Sequence, residues 1–264
     1  TLSCSSAASD VYKRQAKLIA EIGFDGIYVS GGVMSNDLGL PDIGLTTLDQ
    51  VSYRSGQIAR VTDLPTIVDI DTGFGGAFSI GRTIKEMIAA DVAAVHIEDQ
   101  VTQKRCGHRP NKNLVDKIEM SDRIKAAVDG RTDESFFIMA RTDSYASEGM
   151  EGAIDRCKEY IEAGADGLFL EAVSSLEDYK QLKDALHVPV LANITEFGKT
   201  PLFTAEELAS VGVDIMLFPL SAFRAMNKAA EYVYQDIITN GSQANSVDKM
   251  QTRDELYKLS LIHI

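Results

Sequence analysis

Cysteine is scarce in this 264-residue chain, and the little there is excludes two architectures. Cys4, Cys106 and Cys157 are odd in number and far apart, with no C-x-x-C pair among them. A disulfide framework needs paired cysteines in an oxidising compartment, and a thiolate zinc site needs closely spaced ones. Positive charge is short as well: 26 Lys and Arg face 39 Asp and Glu, a formal net charge of −13. Nucleic acid and anionic membrane surfaces are both held by basic patches, so neither is an expected partner. Long hydrophobic runs are missing, and the longest are strand-length, well under the ~20 residues of a spanning helix. No basic region followed by an apolar block opens the sequence, so no secretory signal is read there. The expected compartment is a reducing one, a bacterial cytoplasm or a mitochondrial matrix.

What is present is a repeated phrase: a helix end, a small residue, often an Asp, then an apolar strand. It recurs as IGFDGIYVS (22–30), AADVAAVHIED (89–99), AGADGLFLE (163–171) and VGVDIMLFP (211–219). Amphipathic stretches such as SIGRTIKEMIAA and GAIDRCKEYIEAG separate these phrases, and Thr204-Ala-Glu-Glu207 reads as a capping box. Strands alternating with helices predict parallel βαβ units, and continuous apolar strand cores predict cover on both faces. The strands read are GIYVS, TIVDID, AAVHIED, FFIMART, GLFLE, VPVLANI and DIMLFPL. The fold class is therefore α/β, a (β/α)8 TIM-type barrel. Its first strand is expected to be missing, because the opening TLSCSSAASDVYKRQ is polar and strand-poor. A truncated C-terminal helix is expected at the other end. Residues 1–15 and 258–264 read as non-native tails around a 16–257 (β/α)8-type domain.

Nearly every strand finishes in polar residues: Ser30-Gly31-Gly32, Asp69 and Asp71, His96 with Glu98 and Asp99, Arg141 to Asp143, Glu171, Asn193 to Glu196, and Ser221 with Arg224. In a barrel of this type the C-terminal strand ends carry the catalytic groups. Asp69 and Asp71, two apart on a strand, are expected to share a face and to need a cation or proton between them. Mg²⁺ suits so few carboxylates because it keeps waters for a substrate to displace. The plainer alternative is that one of them caps the next helix. The block KRCGHRPNK (104–112) sets Cys106 among Lys104, Arg105 and His108, which would favour the thiolate and suit proton transfer. Cys157, mid-helix, reads as structural.

With these residues in view the chain resembles the isocitrate lyase and phosphoenolpyruvate mutase superfamily, and within it the methylisocitrate lyase group, over roughly residues 16 to 257. SGGVMSNDLGLPDIGLTTLD, VDIDTGFGG, HIEDQVTQKRCGHRPNK, IMARTD, NITEFGKTPLF, PLSAFRAMNKAAE and MQTRDELY carry the resemblance. It implies Mg²⁺-dependent cleavage of 2-methylisocitrate to pyruvate and succinate, the last step of the methylcitrate route of propionate breakdown. Asp69 and Asp71 would hold the metal, and Cys106 would protonate the succinate carbanion. Ser30, Gly31, Gly32, Gly107, His108, Arg141, Glu171, Asn193, Thr195, Arg224 and Arg253 match substrate-contacting positions, with Cys106 beside them. Tyr28 and Glu171 are both candidates for the hydroxyl's base. The partner is a small di- or tricarboxylate, and the family implies a homotetramer, a dimer of dimers that exchange C-terminal helices. Isocitrate and 2,3-dimethylmalate are rival substrates, since one methyl group gives only about 1–3 kcal/mol of discrimination. The rival outside enzymology is an inactive barrel that binds small carboxylic acids.

Overall fold

Side chains alternate along each strand between two cores, and this alternation decides the architecture. The computed structural model describes residues 4–9 and 13–260. In them β1 (Ser5–Ser9), β2 (Gly26–Val29), β3 (Thr66–Asp69), β4 (Ala94–Glu98), β5 (Phe137–Thr142), β6 (Gly167–Leu170), β7 (Val190–Asn193) and β8 (Ile215–Phe218) form a closed parallel barrel. Ala7, Tyr28, Ile67, Ala94, Met139, Phe169, Leu191 and Leu217 form the inner cluster, one from each strand. Ile27, Val29, Val68, Val95 and Ile138 point the other way and pack under the helices. Both strand faces are thus buried, as a (β/α)8 barrel requires.

The expectation of a missing first strand is overturned. Ser5–Ser9 pairs with β8 from Ser5↔Ile215 to Ala8↔Phe218, and with β2 from Ala7↔Gly26 to Ser9↔Tyr28. These pairings close the barrel on both sides of β1. SSAAS has no β-branched or aromatic residue, which is why its strand character is invisible in the sequence. Its fit comes from size, because Ala7 is 2% exposed in the barrel interior and registers with Leu217. Asp25 fastens it, with Oδ2 accepting from Ser6 N at 2.8 Å and from Ser6 Oγ at 3.1 Å. Residues 1–3, 10–12 and 261–264, parts of the expected tails, lie outside the described residues.

The outer helices are α1 (Lys13–Ile22), α2 (Gly31–Asp37), α3 (Leu48–Ala59), α4 (Ala77–Ala89), α5 (Lys117–Gly130), α6 (Tyr145–Glu162), α7 (Leu176–Ala185), α8 (Ala205–Ser210), α9 (Ser221–Asn240) and α10 (Arg253–Ser260). The Thr204/Glu207 capping box opens α8 as expected, and Thr47 with Gln50 forms a second at α3. Helix α10 lies along α1, where Lys258 pairs with Glu21. No helix among the described residues is long and apolar enough to cross a membrane.

Candidate active site

The two aspartates converge, though not by strand alternation. Strand β3 ends at Asp69, and Asp71 sits in a turn with a left-handed backbone (φ 49°). The turn is held by Asp71 N donating to Asp69 Oδ1 at 2.9 Å. Neither aspartate caps the next helix, since the N-cap of α4 is Gly76 without a side-chain bond. Gly31 leaves room for both: a Cβ there would lie 2.8 Å from Asp69 Oδ2 and 3.2 Å from Asp71 Oδ1. Burial, and then the neighbouring Asp69, push the Asp71 carboxyl above the usual range, against the pull of Lys104. Burial also opposes ionisation of Asp69, but His96, Lys104, Arg141 and the Asp71 N–H outweigh it and hold that carboxyl low.

Lys104 is a buried bridge, its Nζ paired with Asp42 and 2.7 Å from Asp71 Oδ1. Fully buried Glu98 stands at the end of β4 with its Oε1 lacking a hydrogen-bond donor, while its Oε2 pairs with Arg141 as Asp71 Oδ1 pairs with Lys104. Burial raises the Glu98 carboxyl, against Arg141 and Lys104. Among the described residues no three His, Cys, Asp or Glu side chains close into a ready-made metal cage. The crowded aspartates and the unpartnered Glu98 Oε1 nevertheless fit a hard cation that takes one or two carboxylates and keeps its waters, which describes Mg²⁺.

Across the mouth, Arg141 meets three carboxylates. Its Nε is 3.2 Å from Glu98 Oε2 and 3.0 Å from Asp143 Oδ2, and its Nη2 is 3.0 Å from Glu171 Oε2. Its guanidinium also lies 5.0 Å from the centre of the Phe169 ring. Glu171 Oε1 lies 3.1 Å from His108 Nε2 and accepts from Asn193 Nδ2 at 3.2 Å. Burial opposes its ionisation, but Arg141 and then His108 hold the carboxyl well below the usual range. His108 Nδ1 accepts from Lys199 N at 3.0 Å, which leaves the ring proton on Nε2, the nitrogen that lies nearest Glu171. Tyr28 lies in the barrel interior with its hydroxyl 2.7 Å from His96 Nε2. Burial pushes the phenol well up and His96 down to about 4.

The 104–112 block folds down onto this cluster. The basic side chains expected around the thiol turn instead to carboxylates: Lys104 to Asp42 and Asp71, and His108 to Glu171. Arg105 is exposed. Cys106 is half-buried and lines a cavity of about 930 Å³ together with Gly32, Asp42, His108, Thr195 and Arg224. Arg224 Nε, Thr195 Oγ1 and Asn193 Oδ1 have no hydrogen-bond partner, so polar groups stand ready for a ligand. Ser30 caps α2 through Val33 N at 3.3 Å, so its hydroxyl orients the Gly31-Gly32 turn. Arg253 is not brought to the mouth; it is exposed on α10. Asp42 and Lys112 are missed by sequence reasoning. Both lie inside distinctive blocks, but spacing does not reveal which partner each meets.

Gly107 shows how tightly the loop is seated. A Cβ there would come 2.3 Å from Glu171 Cγ and 2.5 Å from its Oε2. Gly107→Ala should therefore displace the loop and lower kcat/KM about 10²-fold, the usual effect of misplacing a reacting group by an ångström. The unfolding midpoint should move little. Wild-type kinetics in that variant would show that the loop stands off Glu171 during turnover.

Comparison with known proteins now places this geometry. The phosphoenolpyruvate phosphomutase family matches residues 12–238. A 2-methylisocitrate lyase of Vibrio cholerae is 57% identical over 249 residues, covering 92% of this chain and 81% of the relative. The chain belongs to the isocitrate lyase and phosphoenolpyruvate mutase superfamily. The Escherichia coli 2-methylisocitrate lyase is 56% identical over 245 residues, covering 92% of this chain and 83% of the relative. A solved 2,3-dimethylmalate lyase of the superfamily superposes with a TM-score of 0.91 at 33% identity, covering 98% of this chain and 87% of that one. A phosphonopyruvate hydrolase solved with oxalate and Mg²⁺ gives 0.87 at 26% identity, covering 97% and 90%. The chain is a carbon–carbon lyase of the methylisocitrate lyase type.

Proposed function

We propose that the chain cleaves 2-methylisocitrate to pyruvate and succinate with Mg²⁺ held at Asp71 and Asp69, as the last step of the methylcitrate route. The observation that carries this reading is the pairing of two halves at one mouth. The clustered carboxylates of Asp69, Asp71 and Glu98, with Glu98 Oε1 unpartnered, stand on one side, and the Cys106–Gly107 loop seated on Glu171 stands on the other. The 2-methylisocitrate lyases at 56–57% identity support this substrate over 2,3-dimethylmalate, whose lyase is 33% identical.

In the reaction the substrate's C2 hydroxyl loses its proton, the C2–C3 bond breaks, and C2 becomes the carbonyl of pyruvate. The electron pair goes to C3, giving a succinate carbanion delocalised into its carboxylate, and Cys106 returns a proton to that carbon. Mg²⁺, when bound, supplies Lewis-acid stabilisation of negative charge on oxygen. Arg141, Asn193, Thr195 and Arg224 orient carboxylates, the arginines by their planar forks. Of the two candidate bases, Tyr28 is a neutral phenol tied to His96, and Glu171 is ionised but weakly basic while Arg141 and His108 hold it. Glu171 keeps the better position, because it faces the Cys106 loop directly. A homotetramer belongs to the same reading. It is supported by α9, which has no buried residue and exposes Tyr234 and Ile238.

The test is the ratio of kcat/KM for 2-methylisocitrate to that for isocitrate. A ratio above one, by roughly 10-fold or more for one methyl group well accommodated, is expected. An equal or reversed ratio would assign the chain to another substrate of the superfamily.

A further inference from the structure

The loop between β4 and α5 leaves the barrel at Gln100 and returns at Leu114. There a bridge, and a hydrogen bond from Val101 N to Asn113 O at 3.0 Å, close its neck. Two buried side chains reach from this neck to the backbone on either side of Cys106. Gln100, 1% exposed, holds the residue before the thiol twice over. Its Nε2 donates to Arg105 O at 2.9 Å, and its Oε1 accepts from Arg105 N at 2.9 Å. Lys112 holds the residue after it, with Nζ donating to Gly107 O at 2.7 Å and to Asp143 Oδ1 at 2.8 Å. Asp143 is fully buried, its N–H donates to Asp99 Oδ1 at 3.0 Å, and its other oxygen meets Arg141. Neither Gln100 nor Lys112 lines the cavity that Cys106 faces.

We infer that Gln100 and Lys112 are positioning residues that clip the loop on both sides of Cys106 and, through Asp143, tie the place of the sulfur to that of Arg141. A proton donor must come within hydrogen-bond reach of the atom it serves, and a loop is by nature the mobile part of a barrel. A clip on each flanking peptide removes that freedom without occupying substrate space. Lys112 also supplies a second cation to Asp143, whose other cationic partner, Arg141, is shared with Glu98 and Glu171. The charge-assisted bonds of Lys112 make its half the stronger one. The inference rests on the reading of Cys106 as the proton donor, and its test includes a readout independent of that chemistry.

Lys112→Met, Lys112→Arg and Gln100→Met are each compared with the parent for kcat, KM, unfolding midpoint and the rate of Cys106 alkylation by iodoacetamide. A Cys4→Ser background removes the other half-buried thiol, and Cys157 is fully buried. Lys112→Met should lower kcat about 10²-fold with little change in KM. It should also raise the alkylation rate roughly tenfold, as expected when a charge-assisted hydrogen bond holding a loop closed is lost. Gln100→Met should move both in the same direction, and Lys112→Arg should recover part of the loss because a guanidinium can also bridge two acceptors. Wild-type kcat and alkylation in both Met variants would overturn the clip. So would a loss of kcat that tracks a lower unfolding midpoint with alkylation unchanged. If the parent fails to cleave 2-methylisocitrate, the substrate reading falls, and alkylation alone decides: a faster rate in Lys112→Met upholds the clip, and an unchanged rate overturns it.

Discussion

Asp71→Ala should lower turnover by about 10³-fold or more, because several kcal/mol of oxyanion stabilisation would go with the metal and each ~1.4 kcal/mol is tenfold. It should also abolish the Mg²⁺-dependent rise in unfolding midpoint that pyruvate gives the parent. The metal-free protein offers a second readout. Burial and Asp69 raise the Asp71 carboxyl in the folded state. A raised folded pKa means that its share of stability is present in acid and lost as the pH rises through that folded value. Asp71→Asn should flatten this decline between acid and neutral pH while remaining inactive. Full activity of Asp71→Ala, or of the parent in excess chelator, would remove Asp71 from the metal site.

Cys106→Ser should lower kcat by about 10²–10⁴-fold, the range for losing a general acid, with succinate affinity nearly unchanged. The hydroxyl keeps the size of the thiol but holds its proton far more tightly. The half-buried place of Cys106 in the cavity makes this a change at the mouth rather than in the core. Cys157 supplies the contrast: it is fully buried in the main core, and burial pushes its thiol up, as suits a packing residue. Cys157→Ala should leave kcat in place and cost some stability through lost packing. Wild-type kcat in Cys106→Ser would reduce the loop to a carboxylate-binding cover and require another proton source.

Seven of the eight strands are legible in the sequence because barrel strands buried on both faces are nearly continuous apolar runs. The eighth is not, since β1 is made of Ser and Ala that gain meaning only beside Leu217 and Asp25. The mouth is legible because the polar residues sit at the strand ends, and Ser30, Asp69, Arg141, Glu171 and Asn193 do line up there. Their pairings are not. The cations of the 104–112 block look like a cluster around a thiol in one dimension, yet the folded loop hands Lys104, His108 and Lys112 to separate carboxylates. Loop path is a tertiary property, and local sequence carries charge without direction. Asp69 and Asp71 converge as expected but for another reason, because the left-handed turn at Asp71 replaces strand alternation. Arg253 stays outside the mouth of the single chain, on an exposed helix.

The most direct measurement of the central claim is product analysis by NMR after incubating the protein with 2-methylisocitrate and Mg²⁺. Pyruvate and succinate should form in equal amounts, production should stop in excess chelator, and it should resume when Mg²⁺ is restored. Failure to form both products from this substrate, or equal formation with the metal withheld, would contradict the account.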